Sequence, residues 1–279
     1  ASGSTSATQT VAKAYIDTIY EITPDLKTEG ALFARYIEGV NDGDVRLEPK
    51  IGIAWAPAEG HWLRAAAMRD GLNFDVATLA PIGIVGLQPN QLRFGAEGYA
   101  DTLALRWDAE WNSWFFTALD YQHQEVRQLA LDIPLSTTSL AYAKVGLDRV
   151  AATANFAIGH GFGLSLTAAH TEADVKEHTG SQPGELLFVP ENTGQAALTW
   201  VSTANVKTTV AANYVGARPG GGKDLDDFWT LDAALQWEPF DKQIEVDLAA
   251  FNLLDEDFEL GNGLPGWGRT FKGTIKVRF

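Results

Sequence analysis

The 279-residue chain has no cysteine and a single methionine. Without thiols there are no disulfides, thiolate zinc sites, iron–sulfur clusters or cysteine nucleophiles. Basic charge is also scarce: 21 Lys and Arg stand against 36 Asp and Glu, a net charge of −15. So acidic a chain repels phosphates, and no nucleic-acid partner is expected. Apolar runs are short, none approaching the ~18–20 residues of a spanning helix. Helical i, i+3, i+4 patterning is weak throughout. No G-x-S-x-G, H-E-x-x-H or phosphate-binding loop occurs, so neither an enzyme nor a cofactor is indicated. The first ten residues lack a basic region followed by an apolar stretch.

Apolar residues are nonetheless 46% of the chain, too many for disorder, and there are 9 Trp, 7 Tyr, 14 Phe and 27 Gly. The dominant pattern is alternation. Leu103, Leu105, Trp107, Ala109 and Trp111 share one parity, and Thr102, Arg106, Asp108 and Glu110 the other. The same holds for Leu231, Leu235 and Trp237 against Asp232 and Gln236, and for Phe271, Ile275 and Val277 against Lys272, Thr274 and Lys276. Each is a strand with one apolar and one polar face.

Strands are predicted at 9–22, 28–39, 48–57, 61–69, 98–111, 114–123, 143–158, 163–172, 193–201, 206–216, 228–238, 243–253 and 267–279. Short turn signals near 23–26, 57–60, 112–113, 159–161, 202–205 and 238–242 alternate with long polar or Gly/Pro-rich stretches near 40–46, 70–96, 124–141, 173–191, 217–227 and 254–266. Every second connection therefore lies on the same side, the arrangement of an outer-membrane barrel. Strands of ~9–11 residues are long enough to cross when tilted. The rival is a soluble sandwich, whose strands also alternate but turn their apolar face inward. Trp55, Trp62, Trp107, Trp111, Trp114, Trp200 and Trp237 all lie close to the short turns, as headgroup-level rings would.

The expected fold is all-β, an antiparallel transmembrane barrel over residues 9–279, with 1–8 a flexible or truncated N-terminal segment. About 13–14 strands are visible, and single-chain bacterial barrels have an even number. Either these strands are the C-terminal part of a larger barrel, or one strand is miscounted, for instance in the apolar stretch 77–87.

The last 29 residues, FNLLDEDFELGNGLPGWGRTFKGTIKVRF, resemble the end of TonB-dependent outer-membrane receptors. In that family an Asn-Leu-Phe-Asp segment closes the penultimate strand, and a Pro-Gly-Arg-aromatic segment opens a final strand ending in Phe. Residues 252–258 (NLLDEDF) and 265–271 (PGWGRTF) stand in those places. Leu254 and Val277 replace the family's aromatics, and Trp-Gly is inserted before Arg269. Residues 47–60, 214–219 (YVGARP) and 228–239 are similar in pattern. The resemblance implies uptake of a scarce ligand across a Gram-negative outer membrane, driven by a TonB-type protein through a plug domain. The plug has no counterpart in these residues. A plugless, porin-like export or secretion pore with periplasmic repeats, and a structural barrel anchoring a larger envelope assembly, remain alternatives.

Candidate residues fall in three groups. Phe74, Leu79, Ile82, Ile84 and Leu87 lie in a long apolar outer loop, where exposed apolar surface marks a ligand contact, a partner contact, or packing into the barrel mouth. His170, Glu172, Asp174 and His178 combine imidazole and carboxylate and could hold a divalent ion, at the start of an outer loop. Phe271, Ile275, Val277 and the terminal Phe279 look like the signal read by the barrel-assembly machinery. Membrane lipids and lipopolysaccharide are the other expected partners.

Overall fold

The computed structural model describes residues 10–38, 44–71, 83–89, 94–132, 139–177, 184–239 and 243–277. They form one large antiparallel sheet. Its strands are β1 (Thr10–Thr23), β2 (Leu26–Glu38), β3 (Asp44–Ala58), β4 (His61–Asp70), β5 (Phe94–Asn112), β6 (Phe115–Asp132), β7 (Ser139–Gly159), β8 (Phe162–Glu177), β9 (Asn192–Ser202), β10 (Val206–Val215), β11 (Phe228–Trp237) and β12 (Ile244–Phe251). A two-strand hairpin follows, β13 (Glu259–Gly261) and β14 (Leu264–Pro265), and then β15 (Thr270–Val277). The thirteen strands of the sheet pair strictly in chain order, with β1 and β15 at its two edges.

The two faces are inverted relative to a soluble protein. Ile51 is 65% exposed, Leu103 46%, Leu248 52% and Ile275 71%. On the opposite parity of the same strands Glu48 is 0% exposed, Lys50 3%, Thr102 4% and Glu245 6%. Each of the thirteen strands carries an exposed large apolar side chain, from Ile16 on β1 to Val277 on β15. A continuous apolar surface over a whole sheet is far beyond the few hundred Å² tolerated in water. Charges inside and hydrocarbon outside is the only arrangement a lipid-embedded strand permits, because its backbone is paired laterally and its outer face must be apolar. Two stacked sheets around a dry interior are excluded.

The connections alternate as expected, tight at one rim and long at the other. The tight turns use left-handed backbone. Gly60 has φ of 76°, and a Cβ there would lie 2.6 Å from the Glu110 carbonyl oxygen, so only glycine fits. His160 and Gly161, both at positive φ, make the β7–β8 turn.

Strand ends at the long-loop rim differ from the sequence reading. β6 runs on to Asp132 and β8 to Glu177, past the expected ends at 123 and 172. Residues 124–132 and 173–177 therefore belong to strands, not loops. Beyond the lipid the outer face need not be apolar, so the ladder continues with polar residues such as Glu125 and Arg127 outside and Val126 and Leu129 inside. At 21 residues and about 3.3 Å each, β7 is roughly 70 Å long, far more than a crossing requires.

Candidate functional site

The inward face forms the wall of a lumen. Toward the tight-turn rim, Arg64 donates to Asp108 at 2.7 Å and Arg106 to the same carboxylate at 3.0 Å, while Arg149 stands 3.5 Å from Asp120. Higher up, the fully buried Glu48 lies 2.9 Å from Arg35 and 3.2 Å from Lys13, and Lys50 bonds Asp70 at 3.4 Å. Both lysines also lie over the Phe33 ring, at 4.7 and 4.9 Å. Arg35 further donates to the carbonyl of Gly71. Such ions survive burial because each is paired, and removing one partner strands the others.

A piece of the long β4–β5 connection enters this lumen. Ile84 and Leu87 exchange backbone hydrogen bonds of 2.9 and 2.8 Å across a turn with Val85 and Gly86 at positive φ, the twist suited to a two-residue hairpin. Val85 N–H donates to the Glu29 carboxylate at 2.5 Å, and the Gln122 amide donates to the Gln88 carbonyl at 3.1 Å. Ile84 (1% exposed) and Leu87 (3%) pack on Ala66, Met68 and Ala104. Val85 sits against Gly52, whose missing side chain makes the space. The strands therefore offer small lumenal residues at Gly52, Ala66 and Ala104 to receive the hairpin.

The mouth is lined by two further outer segments. Leu186 joins Val126, Leu129, Tyr142, Val145 and Val175 in an inward cluster. The Tyr142 hydroxyl donates to Glu185 O and accepts from Leu187 N–H, at 3.2 and 3.4 Å. Phe188 N–H donates to Pro219 O at 2.8 Å, linking this segment to the β10–β11 connection. There Arg218, 6% exposed, lies over the Phe228 ring at 5.4 Å and donates to Glu259 O at 2.6 Å. Its Nη1 has no hydrogen-bond partner among the described residues, and burial lowers its pKa. Among the described residues this buried guanidinium is met by a carbonyl and a ring, and by no carboxylate.

The residues singled out by sequence divide accordingly. Ile84 and Leu87 are buried in the lumen and are not displayed on the outer surface; Phe74, Leu79 and Ile82 lie outside the described residues. His170, Glu172 and Asp174 share one face of β8, not a loop, because the ladder to β7 continues past them. His170 bonds Asn192 at 2.9 Å and approaches Glu172 at 3.5 Å. Among the described residues no group of three His, Cys, Asp or Glu is placed to hold a metal; His178 lies outside them. Phe271, Ile275 and Val277 line the outward face of edge strand β15, 71%, 71% and 58% exposed, and Phe279 lies outside the described residues.

The NLLDEDF segment acts as a clasp. Asn252, at φ 50° and 4% exposed, donates to Glu256 O and Trp267 O at 2.9 and 3.2 Å, and its side-chain oxygen accepts from Glu256 N–H at 2.9 Å. Its own N–H donates to Asp232 at 2.9 Å, and Asp255 accepts from Arg269 N–H at 2.8 Å. The motif therefore ties the end of β12 to the PGWGR segment that starts β15.

Outside, rings near the tight turns form a continuous ribbon. Trp107 meets Trp111 at 5.8 Å, Trp111 meets Phe115 at 6.5 Å, and Phe115 stacks on Phe156 at 4.9 Å. This is an aromatic girdle at one edge of the apolar band. From Trp111 to Leu103 is about 27 Å along the strand, or roughly 20 Å of height after a ~40° tilt.

The same architecture occurs in solved structures. The FrpB iron transporter from Neisseria meningitidis superposes with TM-score 0.68 at 15% identity, over 96% of this chain and 45% of that one. The fold is that of the TonB-dependent receptor barrels. The ferric yersiniabactin uptake receptor FyuA from Yersinia pestis (TM-score 0.67, 13% identity, 97% of this chain, 46% of that one) and the ferric-catecholate import receptor Fiu from E. coli K12 (0.66, 16%, 97%, 45%) share it. These neighbours are Gram-negative outer-membrane receptors and transporters. The chain spans a little under half of their length. No family model matches the chain. No curated protein matches it either.

Proposed function

We propose that residues 9–279 form part of the wall of a Gram-negative outer-membrane transport barrel that takes up a scarce ligand in the manner of TonB-dependent receptors. The single observation that supports this most is the inversion of the sheet, with paired charges such as Glu48–Arg35 inside and Leu103, Leu248 and Ile275 outside. The barrel shared with the iron receptors, of which this chain spans under half, supports a larger barrel in which further strands join the β1 and β15 edges. The working partners in this reading are a TonB-type energy-coupling protein acting through a plug, the barrel-assembly machinery at Phe271, Ile275, Val277 and Phe279, and the lipids and lipopolysaccharide around the band.

An anionic iron chelate fits the mouth best, because Arg218 holds a buried positive charge that has no carboxylate partner among the described residues. The lumenal hairpin at Ile84–Leu87 speaks against a permanently open export pore. The test is energy-dependent uptake of radiolabelled ferric chelates by outer-membrane-intact cells expressing the whole protein. Accumulation that needs the TonB-type protein and falls several-fold on Arg218→Gln is expected. Accumulation indifferent to the energy coupler would overturn the reading.

A further inference from the structure

The lumenal face that this chain supplies divides into two parts. From β2 to β6 it is covered. Phe33, Glu48, Ala104 and Gln124 are fully buried, and Ala66 and Thr102 nearly so. The Ile84–Leu87 hairpin packs on Ala66, Met68 and Ala104, and nearer the mouth Leu186 joins the cluster of Val126, Tyr142 and Val145. The same stretch carries the paired ions, Glu48 with Arg35 and Asp108 with Arg64 and Arg106.

From β8 to β10 the face is open and nearly free of charge. Thr153 on β7, Thr167, Gln195 and Asn213 are successive cross-strand neighbours, and Thr199 and Thr209 are neighbours closer to the tight turns. Gln195 is exposed and the others are half-buried. These side chains hydrogen-bond one another along the rows. The Thr153 and Thr167 hydroxyls are 3.2 Å apart, those of Thr199 and Thr209 3.0 Å, and the Gln195 amide donates to Asn213 at 2.8 Å. Asn213 in turn donates to Asp232 on β11 at 2.9 Å, where charge resumes. From Thr171 down to the tight turns, the lumenal positions of β8, β9 and β10 carry one charged side chain among the described residues, Lys207 at the rim.

Arg218 stands just beyond the mouth end of β10, so a ligand held there meets this face first. A ligand in transit needs contacts that form easily and release easily. Hydroxyl and amide groups can exchange their mutual hydrogen bonds for bonds to a hydrated, oxygen-rich ligand without stranding a charge. On the covered face the same exchange would separate buried ion partners, at high cost. We propose that the ligand passes along the β8–β10 face, over Thr167, Gln195, Thr199 and Asn213, while the β2–β6 face stays closed to it. The route rests on the uptake reading above.

The test uses the whole protein in outer-membrane-intact cells, with and without the TonB-type protein, and fluorescein maleimide added outside as the probe. The native chain has no cysteine, so each introduced thiol reports alone. Thr167→Cys, Gln195→Cys and Thr199→Cys sample the open face, and Ala66→Cys and Thr102→Cys the covered one. The expected result is labelling at the first three positions that the energy coupler speeds several-fold, with Ala66→Cys and Thr102→Cys slow in both strains. A coupler-dependent rise at Ala66→Cys or Thr102→Cys overturns the route, as does an open face whose three cysteines never label. Open-face cysteines that label equally fast in both strains leave the route standing and overturn the energy-coupled uptake reading instead.

Discussion

Gly52 and Val85 meet so closely that a Cβ on the glycine would lie 2.6 Å from Val85 Cγ2. The lumenal hairpin is thus seated on a strand position that only glycine can occupy without displacement. Gly52→Leu should push the hairpin off the wall. Amide hydrogen exchange at Ile84 and Leu87, whose N–H groups are now paired, should rise by at least tenfold, with the sheet amides unaffected. Equal protection in both proteins would show that the hairpin is held by something else.

The ion cluster on the mouth side of the hairpin should be sensitive to the loss of one charge. Glu48 is fully buried between Arg35 and Lys13. Glu48→Gln leaves two buried cations facing a neutral amide and should cost about 3–5 kcal/mol in urea unfolding from vesicles. A loss below about 1 kcal/mol would mean that water reaches these groups.

Outward and inward positions should respond oppositely to the same substitution. Leu105 stands in the apolar band, and Leu105→Arg should destabilise by about 2–4 kcal/mol. Gln195, on the lumenal parity of β9 beside Asn213, should accept Arg at a cost under about 1 kcal/mol, since lumenal substitutions leave the lipid contact intact. Comparable costs at both positions would contradict the assignment of faces.

Asn252 joins two strand ends through four hydrogen bonds in a left-handed conformation. Asn252→Leu loses the side-chain bonds and strains the backbone, and should reduce the heat-modifiable folded band to a minor fraction. Asn252→Gly relieves the strain and should fold better than Leu but less well than the parent. If both variants fold as the parent does, the clasp is dispensable.

Much of this was readable in the residues. All thirteen strands of the sheet were legible, because between the rims each residue faces either hydrocarbon or lumen and the alternation is forced. The upper parts of β6 and β8 were not, since there the polarity reverses, with Glu125 and Arg127 outside and Val126, Leu129 and Val175 packed inside, and the mixed segment reads as loop. Ile84 and Leu87 were visible as apolar residues in a long connection, but their destination depended on Gly52, Ala66 and Ala104, three small residues on separate strands. The clasp motif was legible only as a resemblance; that Asn252 reaches Trp267 could be seen only with both segments in place. Nor did anything local set apart Arg218, whose burial comes from the meeting of three distant segments.

The central claim is the direction in which the oily parity points. The chain has no cysteine, so single cysteines introduced along residues 102–106 of β5 can each carry a nitroxide label without background. In vesicles, labels at 103 and 105 should be relaxed strongly by dissolved oxygen and weakly by a water-soluble nickel chelate, with labels at 102, 104 and 106 showing the lower oxygen effect, a period of two. The reverse phase, or equal access of the chelate at all five positions, would contradict the account.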